Sequence, residues 1–298
     1  MSIYTIAQVV ALSGIKAPTL RKWETRYSLF EPHRTETNIR YYSDSQLKKL
    51  LNISVLLRNG FKISKIDKMS DEDIYEKIED ILIDSNQEDE ITALIISMLE
   101  FDENKFDKII KSHIINNGLL TTTTKIIYPF LNQVGVLWGI DKIIPAQEHF
   151  VSSLIKQKMF SSIDLLPLPH ADAPSILMFL PENEHHEIGL LLAHFIAKKL
   201  GWRVYYLGQN VPTENINAVV EEIHPNAMLT MFIVSTHNNF LSILDELLLN
   251  PDIPLLVSGN PEFFENNSHK DLIQLKSPEE LIMQLELLSA KNIKTTHA

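Results

Sequence analysis

From Ser175 onward the chain repeats one pattern that few folds satisfy: a short apolar run, a loop, then a helical segment. The apolar runs at residues 175–180, 202–207, 227–235, 253–258 and 272–275 read as strands. The segments at 188–200, 213–223 and 238–249, and one from Pro278, carry helical periodicity. Strands that are apolar on both faces and joined through helices form a parallel sheet covered on both sides. The expected fold is therefore a flavodoxin-like, Rossmann-type α/β domain over residues 175–298. Such sheets take their ligands at the carboxyl ends of the strands, where strand order reverses.

One loop at such an end is rich in chemistry. It runs Leu180-Pro181-Glu182-Asn183-Glu184-His185-His186-Glu187-Ile188-Gly189. Within it Glu184, His186 and Gly189 stand as acid-x-His-x-x-Gly. A carboxylate two residues before a histidine can hold one ring nitrogen and leave the other to face a metal. Glycine at the helix start lets a bulky group pass close to the backbone. Read alone, the pattern also suits a solvated polar loop, and Glu182, His185 and His237 read as loop surface.

The arrangement resembles the cobalamin-binding loop of methionine synthase and the mutases, with Glu184 where that family usually carries aspartate. The resemblance implies that His186 ligates the cobalt of cobalamin from below, with Glu184 behind it. It also gives Ser235, in Ser235-Thr236-His237-Asn238, and Gly259, in Val257-Ser258-Gly259-Asn260, to the nucleotide tail of the cofactor. Ser258 departs from the usual glycine pair and adds a side chain on the tail's path.

The other end of the chain has a different character. Residues 4–12 read as a short helix, Ser13-Gly14 as a turn, and a second helix opens near Ala17-Pro18-Thr19, with proline at a first-turn position. Helix, turn, helix over some twenty residues is a DNA-reading plan in which the second helix enters the major groove. Thr19, Arg21 and Lys22 would then face DNA, while Leu20 and Trp23 pack inward. Arg26-Tyr27, Asn38-Ile39-Arg40-Tyr41-Tyr42 and Asp44 at the head of a further helix complete a motif that resembles the MerR family over residues 3–69. That resemblance implies a winged helix-turn-helix head over residues 1–70, with Arg26, Arg40 and Tyr41 among the DNA contacts, Arg40 and Tyr41 in the wing. It also implies dimeric binding to double-stranded operator DNA.

Charge follows the same division. Residues 1–70 hold 12 Lys and Arg against 5 Asp and Glu, a balance of +7, so the remaining residues hold 15 against 33, or −18; the sum is the chain's −11. A basic head on an acidic body fits a nucleic-acid-binding module carried by something else.

Between the two lies a helical region. Asp67 to Asn86 is polar and acidic and reads as a linker, with Ser70-Asp71-Glu72-Asp73 as a cap or hinge. From Glu88 to about Ile163 apolar stripes recur: Ile91, Leu94, Ile95 and Met98; Phe106, Ile109, Ile110 and Ile114; Ile126, Phe130, Val134 and Val136. Pro145 restarts a helix. Four amphipathic helices point to a four-helix bundle over residues 71–165, ahead of a proline-rich linker at 165–174. Trp138 followed by Glu148-His149 is similar to the pattern of light-sensing cobalamin regulators of the CarH and LitR type. By that similarity Trp138, Glu148 and His149 line the pocket for the adenosyl group, and the bundle caps the corrin. Gly139 stands where some members carry a second cobalt-binding histidine, which excludes a two-histidine photoproduct through this position.

The absence of cysteine excludes disulfides, thiolate catalysis and cysteine-ligated zinc. No apolar run is long enough for a membrane span, and the first residues lack a signal-peptide pattern, so the expected compartment is the cytoplasm. Taken together, the resemblances imply a non-enzymatic repressor whose oligomerisation, as dimer or tetramer, and operator binding are set by adenosylcobalamin and by light. Two alternatives stay open. One is a cobalamin-independent regulator using the same fold for oligomerisation or a regulatory protein partner. The other is a corrinoid methyl-carrier or mutase subunit, which would have no use for a DNA-binding head.

Overall fold

The structure, a computed structural model, describes residues 3–27, 29, 32–35, 37–83, 87–139, 144–233, 240–247, 253–259 and 272–296. The chain divides into two compact units, Met1–Leu154 and Ile155–Ala298.

The first unit begins with strand β1 (Ile3–Thr5), helix α1 (Ile6–Ser13), helix α2 (Ala17–Arg26), strands β2 (His33–Arg34) and β3 (Arg40–Ser43), and helix α3 (Asp44–Arg58). The strands form an antiparallel sheet in the order β1-β3-β2. The helix expected over residues 4–12 starts later. Thr5 caps it through a reciprocal box with Gln8, so Tyr4 stays extended opposite Tyr42. Tyr4 is fully buried and its hydroxyl donates to Asp44 Oδ1 at 2.9 Å, tying β1 to the start of α3. Gly14 closes α1 with φ 69°, a left-handed turn that glycine adopts without strain. Ser43 and Gln46 box the start of α3 in the same way as Thr5 and Gln8.

A short helix α4 (Ile63–Ile66) leads to α5 (Asp71–Ile83). The stretch expected to be a linker is thus largely helical. Asp71, Glu72 and Asp73 lie in the first turn of α5, where they complement the helix dipole. Ser70 and Asp73 cap it reciprocally, and Ile74 and Ile78 are buried, so the hydrophilic composition marks an amphipathic helix. The helical region continues through α6 (Gln87–Glu100), α7 (Glu103–Thr122), a π-helical turn (Thr123–Ile127), α8 (Tyr128–Gly139) and α9 (Pro145–Asp164). Ile91, Leu94, Ile95 and Met98 are buried along α6, and Phe106 meets Phe130 edge-on at 5.6 Å. Gly118 breaks the regular helix inside α7 with φ 77°.

In the second unit β4 (Ser175–Pro181), α10 (Ile188–Lys199), β5 (Arg203–Val211), α11 (Thr213–Ile223), β6 (Ala227–Phe232), α12 (Phe240–Leu247), β7 (Leu255–Gly259), β8 (Leu272–Leu275) and α13 (Pro278–Thr296) alternate along the chain. The sheet is parallel with order β5-β4-β6-β7-β8, the flavodoxin-like arrangement. On one face Leu177, Phe179, Met228, Phe232, Leu255 and Val257 pack with Ile216, Val220, Leu244 and Leu247 of α11 and α12. Strand order reverses between β4 and β6, and the loop after β4 opens at that point. Among the described residues no helix is long and apolar enough to cross a membrane.

Candidate functional site

The loop between β4 and α10 is held from inside by one carboxylate. Glu184 is fully buried although it sits in a polar loop. Its Oε1 accepts from the backbone N–H of His185 at 2.9 Å, from that of His186 at 3.0 Å, and from His186 Nδ1 at 2.7 Å. Its Oε2 accepts from the N–H of Ile233, just past β6, at 2.8 Å. The acid therefore spans the point where strand order reverses. Asn183, with φ 68°, and Asn210, with φ 58°, take left-handed turns on either side, and the Asn183 N–H donates to Asn210 Oδ1 at 2.9 Å.

The consequence falls on His186. Its side chain is 58% exposed, while its Nδ1 is committed to a buried carboxylate. With the proton on Nδ1, the lone pair of the neutral ring lies on Nε2, and the carboxylate raises its basicity. This is the geometry of an imidazole prepared as a single ligand. Among the described residues no group of three or more His, Asp or Glu side chains is placed to hold a bare metal ion.

The two glycines at the site differ. A Cβ on Gly189 would lie 2.9 Å from the Met231 sulfur, the end of a flexible side chain, so this glycine lets α10 start close against β6. At Gly259, φ is 147° and a Cβ would fall 1.9 Å from the backbone oxygen of Phe232, so only glycine fits. The sheet itself thus demands Gly259. Ser258, the departure from a glycine pair, donates its hydroxyl to the Leu275 carbonyl at 3.0 Å and so is tied to β8. Ser235 and His237 lie outside the described residues; Glu182 and His185 are exposed on the loop.

The neighbouring Glu187, which the motif passes over, accepts from the Tyr206 hydroxyl at 2.9 Å, and Lys156 stands 3.8 Å away. His194 stacks on Tyr206, with ring centroids 4.9 Å apart. Burial, reinforced by Lys198, pulls the His194 imidazole down to about 4, and the Tyr206 phenol is pushed up by burial and by Glu187. Glu148 and His149, in the first turns of α9, pair at 2.8 Å with side chains 33% and 74% exposed. Trp138 lies on α8, and its side chain is outside the described residues.

In the head, α2 buries Leu20 and Trp23 and exposes Arg21, Lys22 and Arg26, with Thr19 half-buried. Glu24, part of the MerR-like motif, is a residue to which sequence reasoning gives no role. Its side chain is only 6% exposed and accepts from Arg40 Nε at 2.8 Å and from the Tyr42 hydroxyl at 2.9 Å. It therefore braces the second helix against the wing strand. Burial, with Glu24 alongside, pushes the Tyr42 phenol up, which keeps it a donor. Arg40, expected among the DNA contacts of the wing, thus commits its Nε inside the head. Tyr41 stacks on His33 at 5.2 Å. A lone acid after a tryptophan carries no signal by itself; its partners lie 16 and 18 residues on.

Two family models match the chain. The MerR HTH family regulatory protein model covers residues 4–73, and the B12 binding domain model covers residues 90–160. The HTH-type transcriptional repressor CarH of Myxococcus xanthus is 26% identical over 231 residues, 75% of this chain and 76% of that protein. The repressor CarA of the same organism is 26% identical over 267 residues, 85% of each chain. A monomethylamine corrinoid protein of Methanosarcina barkeri superposes with a TM-score of 0.49 at 16% identity, over 64% of this chain and 94% of that one.

Proposed function

We propose that this chain, a MerR-type head joined to a B12-binding domain, is a DNA-binding transcriptional repressor controlled by a corrinoid. Its homology to CarH and CarA extends through head and body, which supports a regulator over an enzyme or a methyl carrier. The observation that carries the cofactor half of the reading is the buried Glu184 holding His186. A corrin would carry most of its own cobalt ligands, so the protein would need to supply a single imidazole of fixed tautomer, and the loop offers that donor. Gly259 keeps the end of β7 clear of side chain, and Ser258 is drawn toward β8, so neither opposes a nucleotide tail.

When bound, adenosylcobalamin supplies a cobalt–carbon bond that absorbs visible light. The work of the chain is to hold and to read. His186 would hold the cobalt of the corrin, with Glu184 fixing its ring; by resemblance, Ser235 and Gly259 would serve the nucleotide tail, and Trp138, Glu148 and His149 the adenosyl group. Thr19, Arg21, Lys22, Arg26, Arg40 and Tyr41 form the operator-facing set, with Glu24 aligning wing and helix. By similarity to the light-sensing repressors the dark form is a dimer or tetramer on DNA in the cytoplasm, and light releases it.

The test is a visible spectrum of the purified full chain, incubated with adenosylcobalamin in the dark, desalted and then illuminated. A retained corrin spectrum that changes with light and is lost in His186→Ala is the expected result. Loss of the corrin on desalting would leave a cobalamin-independent regulator. Gel filtration and operator gel shifts on the same samples report assembly and DNA release.

A further inference from the structure

The contact between the DNA-binding head and the helical region is organised by an acid that no motif flags. Asp89, in the first turn of α6, is fully buried. Its Oδ1 accepts from Arg58 Nε at 2.6 Å and its Oδ2 from Asn59 Nδ2 at 2.7 Å. These two residues are the last and the capping residue of α3, the helix that continues directly from the wing. The same arginine donates from Nη1 to Ser54 Oγ at 3.3 Å and from Nη2 to Thr92 Oγ1 at 3.1 Å. One guanidinium fork is thus spread across α3 and α6, and each oxygen of a desolvated carboxylate meets the end of α3.

Such a contact behaves as a lock. A carboxylate without access to water cannot lose its cation and stay charged, so α3 cannot slide from α6 by small steps. The fork also fixes direction, because an arginine held on both edges has little rotational freedom. We propose that Asp89 is a positioning residue that locks the head to the first helix of the B12-binding segment, so that a displacement of α6 is delivered to the DNA-binding elements as a rigid-body motion. The sensing part of this inference rests on the corrinoid reading above; the lock itself does not.

The chain has no cysteine, so spin labels can be placed at Lys16→Cys and Asn104→Cys, both exposed, without removing native thiols. Wild-type protein carrying the pair is expected to give one narrow distance distribution, and Asp89→Asn a broadened one. Arg58→Lys, which keeps the charge and loses the fork, should broaden it less. In parallel, the change in operator affinity on adding adenosylcobalamin in the dark should shrink at least fivefold in Asp89→Asn, while corrin retention after desalting stays as in wild type. A variant with a narrow distribution, or one with the full cofactor response, overturns the proposal. Should the wild-type chain retain no corrin, the cofactor reading falls and the distances alone decide the lock: broadening upholds it, matching distributions overturn it.

Discussion

Glu184 and His186 stand 2.7 Å apart, and Glu148 and His149 stand 2.8 Å apart, yet the two pairs are built differently. Glu184 is fully buried, bonded to its own loop and to the end of β6, and it presents a histidine whose orientation it dictates. Glu148 is a third exposed and its histidine is three-quarters exposed, on adjacent residues of one helix. The distance between an imidazole and a carboxylate therefore says little about function. What separates a prepared ligand from a surface pair is what else the carboxylate holds, and whether water can replace it. His194 extends the contrast: burial makes that ring neutral without any carboxylate, and its Nδ1 has no partner among the described residues.

The largest effect expected from this difference is in Glu184→Ala. Its removal strands the amides of His185, His186 and Ile233, and should lower the unfolding free energy of the α/β unit by about 3–5 kcal/mol, read from urea denaturation. A loss under about 1 kcal/mol would mean that the loop does not depend on its acid. Glu24, the buried acid of the head, should follow the same rule. Glu24→Ala is expected to cost about 2–3 kcal/mol and to weaken operator binding on every sequence, because wing and helix lose their brace. Arg21 is exposed on α2, so Arg21→Ala tests the proposed DNA surface. It should leave stability intact and cost about 1–3 kcal/mol of operator affinity while relaxing preference at one base pair, measured by competition gel shift.

Acid pH tests the third histidine. Its folded value of about 4 lies below the ordinary 6.5, so its contribution to stability is full above 6.5 and is lost as pH falls toward 4. His194→Phe should flatten that part of the stability–pH curve; an unchanged slope would show that other groups cause it. The smallest effect belongs to the exposed pair. Glu148→Ala should shift stability by less than about 0.5 kcal/mol. If Glu148 meets the cofactor, its loss appears only in the corrin spectrum or the light response. A large thermal destabilisation instead would erase the contrast between the two pairs.

Much of this was legible before the fold. The helix of residues 213–223 and the strand of residues 272–275 fall where the periodicity puts them, because an amphipathic helix and a parallel strand each bury a face set by local spacing. The motif Glu184-x-His186 was visible for the same reason: its partners are two residues apart. The helix start at Ile6 is not visible in the sequence, since Tyr4 suits a helix as well as a strand until β3 pairs with it. The acidic run after Ser70 reads as a linker by composition, and only packing shows the two isoleucines that anchor it as a helix.

What the residues determined alone is what acts over a turn or two: the turn at Gly14, the apolar period, the charge of the head, and the identity of the histidine. What needed the tertiary structure is every role that depends on a distant partner. Glu184 reaches the amide of a residue 49 positions away, Asp89 meets Arg58 across 31, and Ser258 turns to a carbonyl 17 residues on. The side chain itself supplies the carboxylate, but only the packed fold removes the water around it, and that desolvation turns a carboxylate into a clamp.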